Sequence, residues 1–98
     1  MSARREAGAA AGETDVLAVL TGEGCSPARY WGNEPGDTYA RHDHGYHKVV
    51  FCLEGSIVFH TDDGDVELAA GDRLDLEPGT LHAATVGPNG CRCVEASR

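Results

Sequence analysis

The chain has 98 residues and a formal net charge of −8, from 16 acidic and 8 basic side chains. That length supports one domain with a single modest core, and the acidic balance argues against nucleic acid or an anionic membrane as partner, since both demand Lys and Arg. No stretch approaches the roughly 18 to 20 apolar residues of a membrane span, so the expectation is a soluble, cytoplasmic protein.

Residues 1–12 are rich in Ala and Gly, carry Arg4 and Arg5, and lack a Leu- or Val-type apolar segment. They read as a disordered tail and not as a signal peptide, which leaves residues 13–98 as the folded domain. Glu13 to Leu20 sets Val16, Leu17, Val19 and Leu20 behind the potential N-caps Thr14 and Asp15, with Gly22 and Gly24 as stops, and predicts a short helix. Arg29 to Asn33 and Thr38 to His42 are predicted strands around the turn Glu34-Pro35-Gly36-Asp37. Lys48 to Leu53 and Ser56 to Thr61 are predicted to form a hairpin about Glu54-Gly55. After the turn Asp62-Asp63-Gly64-Asp65 come strands at Val66 to Ala69, Arg73 to Leu76, Leu81 to Val86 and Cys91 to Glu95. Glycines and prolines punctuate every interval, the last of them Gly87-Pro88-Asn89-Gly90. Short β-branched and aromatic runs between tight turns predict an all-β sandwich or barrel with a short N-terminal helix.

Three histidines stand out within this pattern. Residues i and i+2 of a strand share a face, so His42 and His44 can present two imidazoles to one point, and His82 on a distant strand can supply a third. Gly36 is followed by five residues and then His42-Asp43-His44; three residues later comes Lys48, and six more lead to Gly55. A second block runs from Gly71 through Pro78-Gly79 to His82. This pair of blocks, spanning about half the chain, resembles the two signature motifs of the cupin superfamily. The resemblance implies a single-domain cupin-type β-barrel or jelly roll with His42, His44 and His82 as metal ligands. Three positions depart from the pattern. Lys48 stands where the family usually has a metal-binding Glu, Glu77 replaces the first Pro of the second motif, and Val86 stands where Asn is common.

Three neutral imidazoles with open positions suit a divalent transition metal, Fe, Zn, Ni or Cu. His47 is a further candidate ligand, or a residue covering the rim. Lys48 either reaches solvent or pairs with an acidic neighbour such as Glu54, or it acts in the pocket as a cation holding an anionic substrate group or as a base whose pKa is lowered by burial near a metal. Tyr46, and His47 again, are candidates for proton transfer. Strand parity puts Thr38 and Ala40 inward with His42, and Tyr39 and Arg41 outward. It also puts Ala84 and Val86 on the face of His82, and Cys52 on the face of Lys48. His60 reads as a surface or hydrogen-bonded residue, and Cys25, Cys52, Cys91 and Cys93 read as buried free thiols.

Two functions follow from the resemblance. One is a small metal-dependent enzyme, of dioxygenase, isomerase or lyase type, acting on an anionic or carbonyl-bearing metabolite. The other is a non-catalytic sensor or small-molecule binding module on the same barrel, although a regulator would normally carry a helix-turn-helix and this chain has no room for one. A homodimer is expected, and Trp31, Tyr30, Phe51 and Leu53 either offer its apolar surface or pack in the core.

Overall fold

The computed structural model describes residues 2–98. Its elements run β1 (Ala3–Glu6), α1 (Glu13–Gly22), β2 (Arg29–Asn33), β3 (Thr38–His42), β4 (Lys48–Thr61), β5 (Gly64–Ala69), β6 (Arg73–Leu76) and β7 (His82–Ser97). The strands form one seven-stranded sheet in the order β1-β6-β4-β7-β2, with β3 added to β7 and β5 to β4. Every pairing is antiparallel. The all-β architecture with one short helix is as expected, and the sheet curves into a cup without closing.

The apolar run Val49-Val50-Phe51-Cys52 is fully buried because both faces of the sheet are covered there. Val50 and Cys52 point into the cup and join Ile57, Phe59, Leu68, Leu74 and Leu76. Val49 and Phe51 point outward, where Val16 and Leu20 of α1 cover them together with Val94 and Ala96 of β7. Val16 and Leu20 are spaced i, i+4 and so share one helix face. Phe51 is therefore part of an internal layer, the core-packing alternative of its two readings, and is unavailable as a docking surface.

The hairpin expected about Glu54-Gly55, and the interval expected at Gly87-Pro88-Asn89-Gly90 before a last strand, are absent: β4 and β7 are each one long strand. Both halves of β4 pair with β7, from Lys48 opposite Ser97 to Thr61 opposite His82, with register shifts between Cys52 and Glu54 and between Gly55 and Ile57. Gly55 is thus the site of a β-bulge and not of a reversing turn. Its φ of 71° lies in the left-handed region, and a Cβ there would stand 2.0 Å from the carbonyl oxygen of Gly90. The bulge inverts side-chain parity: Val50 and Cys52 face inward before it, Ile57 and Phe59 after it.

The first residues also differ from expectation. Ala3–Glu6 pairs with β6 as β1, and the segment after it is held by Asp72. That carboxylate accepts from Arg5 at 3.0 Å and from the Gly8 N–H at 2.9 Å, so backbone groups that a disordered tail would leave in water are paired. The helix begins after Gly12, without a side-chain cap. Asp15, expected as an N-cap, instead accepts from the Ala11 N–H at 3.2 Å.

Arg73 and Asp75 tie the sheet to the end of the helix. Arg73 is 7% exposed and donates to both oxygens of Glu23, at 2.5 and 2.8 Å, and to both of Asp75, at 2.7 and 3.1 Å. His47 Nε2 lies 2.8 Å from Asp75 Oδ1. Burial pushes the Asp75 carboxyl up, but the Arg73 and His47 contacts outweigh it and hold the group below its ordinary value of 3.8.

A carboxyl depressed by folding stabilises above its unfolded pKa, and that contribution fades as pH falls through the folded value. Asp75→Asn is expected to cost about 1–3 kcal/mol near neutrality, with the gap from wild type closing below about pH 4; urea midpoints measured across pH test this. Gly55→Ala, which forces a side chain into left-handed backbone and against Gly90, is expected to cost about 2 kcal/mol or more in the same assay.

Candidate metal centre

The three histidines reach one point by different routes. β3 ends at His42, after a register shift that follows Tyr39, and His42 lies directly opposite His82 at the start of β7. His44 lies beyond the strand, in the connection to β4, so the shared-face argument does not place it. A loop contact does: the His44 carbonyl accepts from the Gly79 N–H at 2.8 Å. Gly79 occupies the third position of a turn closed by Thr80 N–H to the Glu77 carbonyl at 3.1 Å, with φ of 79° after Pro78, the conformation a type II turn needs. The Pro-Gly turn of the second motif therefore anchors His44 of the first.

Ring centroids are 4.4 Å apart for His42 and His82, 4.9 Å for His42 and His44, and 5.3 Å for His44 and His82. One donor nitrogen from each lies within 4.8 Å of the others. His42 Nδ1 is 2.6 Å from the Ala40 carbonyl and His82 Nδ1 is 2.8 Å from that of Thr80. A carbonyl can only accept, so both rings carry hydrogen on Nδ1, which in a neutral imidazole leaves the lone pair on Nε2. His44 Nε2 is enclosed without a partner among the described residues. Backbone carbonyls fixing the tautomer, with bare nitrogens turned to a common centre, are the support a metal-binding imidazole requires. The donor set therefore fits a divalent transition ion held by His42, His44 and His82. Burial is the main cause that lowers the pKa of His44 and of His82 below 6.5; nearby Lys48 and the other imidazoles add to it, against an opposing backbone hydrogen bond at His82. Both rings favour the neutral form that a metal needs.

These rings open on a cavity of about 270 Å³, whose other walls include Trp31, Tyr39, Tyr46, Lys48, Phe59 and Glu95. Tyr39 lines it although strand parity had turned it outward, because the irregularity between Tyr39 and His42 breaks the alternation. Trp31, a candidate for either a dimer surface or the core, stacks edge-on against Tyr39 at 5.8 Å inside this wall. Tyr46 packs beside His44, with 5.1 Å between centroids. His47 turns away to Asp75 and is not in the cluster. Lys48 pairs with Glu95, Nζ to Oε1 3.0 Å, while Glu54 is paired with Arg92. Glu95 also pairs with Arg29 at 3.2 Å. Sequence reading missed Glu95 and Arg29, yet the alternation Cys91, Cys93, Glu95 was a usable signal, since both cysteines lie in the core. His60 is hydrogen-bonded to Asp65 and Thr85, as expected. The cysteines are free; Cys52, Cys91 and Cys93 are buried and Cys25 is half-buried.

Among known proteins, the family model described as the AraC-like ligand binding domain matches residues 25–94. Quercetin 2,3-dioxygenase of Bacillus subtilis strain 168 is 39% identical over 49 residues, 49% of this chain but only 14% of the length of that curated relative. Among solved structures, a cupin superfamily protein of Desulfitobacterium hafniense DCB-2 superposes with a TM-score of 0.65 at 14% identity, covering 98% of this chain and 76% of that one. An uncharacterized conserved protein with a double-stranded β-helix domain, from Klebsiella pneumoniae subsp. pneumoniae MGH 78578, gives 0.64 at 26% identity, with 71% and 60% covered. Among the described residues no helix is long and apolar enough to cross a membrane.

Replacing His42, His44 or His82 singly by Ala is expected to weaken zinc affinity at least about tenfold, whereas His47→Ala should leave it within about twofold because that ring serves Asp75. Competition with a chromogenic chelator measures both.

Proposed function

The chain belongs to the AraC-like ligand binding domain family, a small cupin domain, and on that footing we propose that it is a metal-dependent enzyme acting on a small anionic or carbonyl-bearing metabolite. The observation that carries this reading is the clustering of three imidazoles, one nitrogen of each within 4.8 Å of the others, with Nδ1 of His42 and of His82 held by backbone carbonyls as a metal-binding ring requires. Bound to His42, His44 and His82, an Fe, Zn, Ni or Cu ion would supply Lewis acidity and open positions for a substrate oxygen.

The chain's own residues supply the rest. Lys48, 11% exposed at its side chain, directs an ammonium toward the cavity and orients an anionic group there. Tyr46, beside His44, offers a phenol for proton transfer to or from the bound molecule. Trp31, Tyr39 and Phe59 form apolar walls that exclude water, so charged contacts inside gain strength. The Bacillus subtilis relative carries the name quercetin 2,3-dioxygenase. A cavity of about 270 Å³ lies at the small end of ligand pockets, which favours a small substrate here.

A non-catalytic ligand-binding module is the second reading, favoured by the description of the matching family. Elemental analysis of protein purified without added metal, followed by chelation and re-addition during turnover assays on small oxo and hydroxy acids, separates the two. The enzyme reading expects near-stoichiometric metal and activity that is lost and restored with it. Metal-free protein that still binds its ligand tightly would overturn it. Lys48→Met is expected to keep the metal while weakening an anionic ligand about tenfold or more, as titration calorimetry would show.

A further inference from the structure

Strand pairing places Glu95 of β7 between two cations from the strands on either side. Arg29 of β2 is its direct cross-strand partner, and Lys48 of β4 lies diagonally across from it, since Val50 is the residue opposite. Lys48 Nζ meets Oε1 at 3.0 Å and the Arg29 guanidinium meets Oε2 at 3.2 Å. The Lys48 and Glu95 side chains are 11% and 9% exposed, whereas that of Arg29 is 74% exposed. Two cations around one carboxylate leave a single unit of positive charge on the cavity wall, with N–H donors to spare on both cations. Arg29 and Glu95 also border a second cavity of about 400 Å³.

Resting on the reading of the imidazole cavity as a site for small anions, we propose that Lys48 and Arg29, joined through Glu95, form a carboxylate subsite, and that the ligands of the cavity are small monocarboxylic acids with a flat body. One surplus charge matches one carboxylate, and the planar guanidinium suits its two oxygens. The first cavity is small, about 270 Å³, which favours a compact ligand. Its aromatic walls accept a planar body, and Trp31 Nε1 is a donor without a partner among the described residues. Glu95 competes with the ligand for both cations, so it sets the strength of the subsite without touching the reacting atoms.

Trp31 is the single tryptophan of the chain, and its fluorescence reports on the wall directly. Benzoate and benzamide have nearly the same shape and differ in charge, and each is titrated into the full chain with metal content measured in parallel. The wild type is expected to prefer benzoate about tenfold or more, and Arg29→Gln and Lys48→Met should each remove most of that preference while retaining metal. Because Arg29 is largely exposed, its replacement does not threaten folding. Glu95→Gln is expected to bind benzoate several-fold more tightly, which loss of a merely structural ion pair would not produce. Equal binding of the two probes, no benzoate binding, or weaker benzoate binding by Glu95→Gln overturns the subsite. His82→Ala tests the other reading separately: loss of metal with the benzoate preference intact upholds both assignments, and a metal-free wild type that still prefers benzoate upholds the subsite while overturning the metal centre.

Discussion

The cavity depends on the antiparallel pairing of β4 with β7, and on the break in that pairing at Gly55. An unbroken ladder of this length would be a gently twisted ribbon, with Lys48 at one end and the Thr61–His82 pair at the other. The bulge bends the two strands together and inverts which residues face inward. Both ends of the ribbon consequently border one cavity, Lys48 and Glu95 from one half and Phe59, His82 and Ala84 from the other. The glycine is required by space as well as by φ, since the Gly90 carbonyl occupies the volume where a side chain would begin.

Charge is distributed in a way that suits this cup. The chain carries a net −8, yet the cavity is lined by two cations against one carboxylate, together with imidazoles held toward neutrality. The low-dielectric interior concentrates what positive potential there is at one place. Pairing Lys48 with Glu95 makes its burial tolerable, because an unpaired ammonium at that depth would lose its hydration without compensation.

The elements were largely legible along the chain. The helix, β2, β3 and β6 fall where periodicity and turn residues put them. Reading failed where a glycine has two meanings. Glu54-Gly55 and Pro88-Asn89-Gly90 carry turn chemistry, and only the shared partner strand reveals that the chain runs straight on through each. The first residues were misread for a related reason: Ala3–Glu6 has no apolar alternation of its own and is a strand because β6 offers it an edge.

The sequence by itself determined the class of fold, the three imidazoles and their order, since motif spacing and strand period are local properties that survive without coordinates. Tertiary structure decided everything that depends on which strand lies beside which. It joined Lys48 to Glu95 and Arg29, brought Tyr39 and Trp31 into the wall, turned His47 away to Asp75, and drew His44 into the cluster from beyond the end of its strand. Those contacts arise from register between residues far apart in the chain and from bulges that reset parity, and neither leaves a periodic signal in the segments that take part.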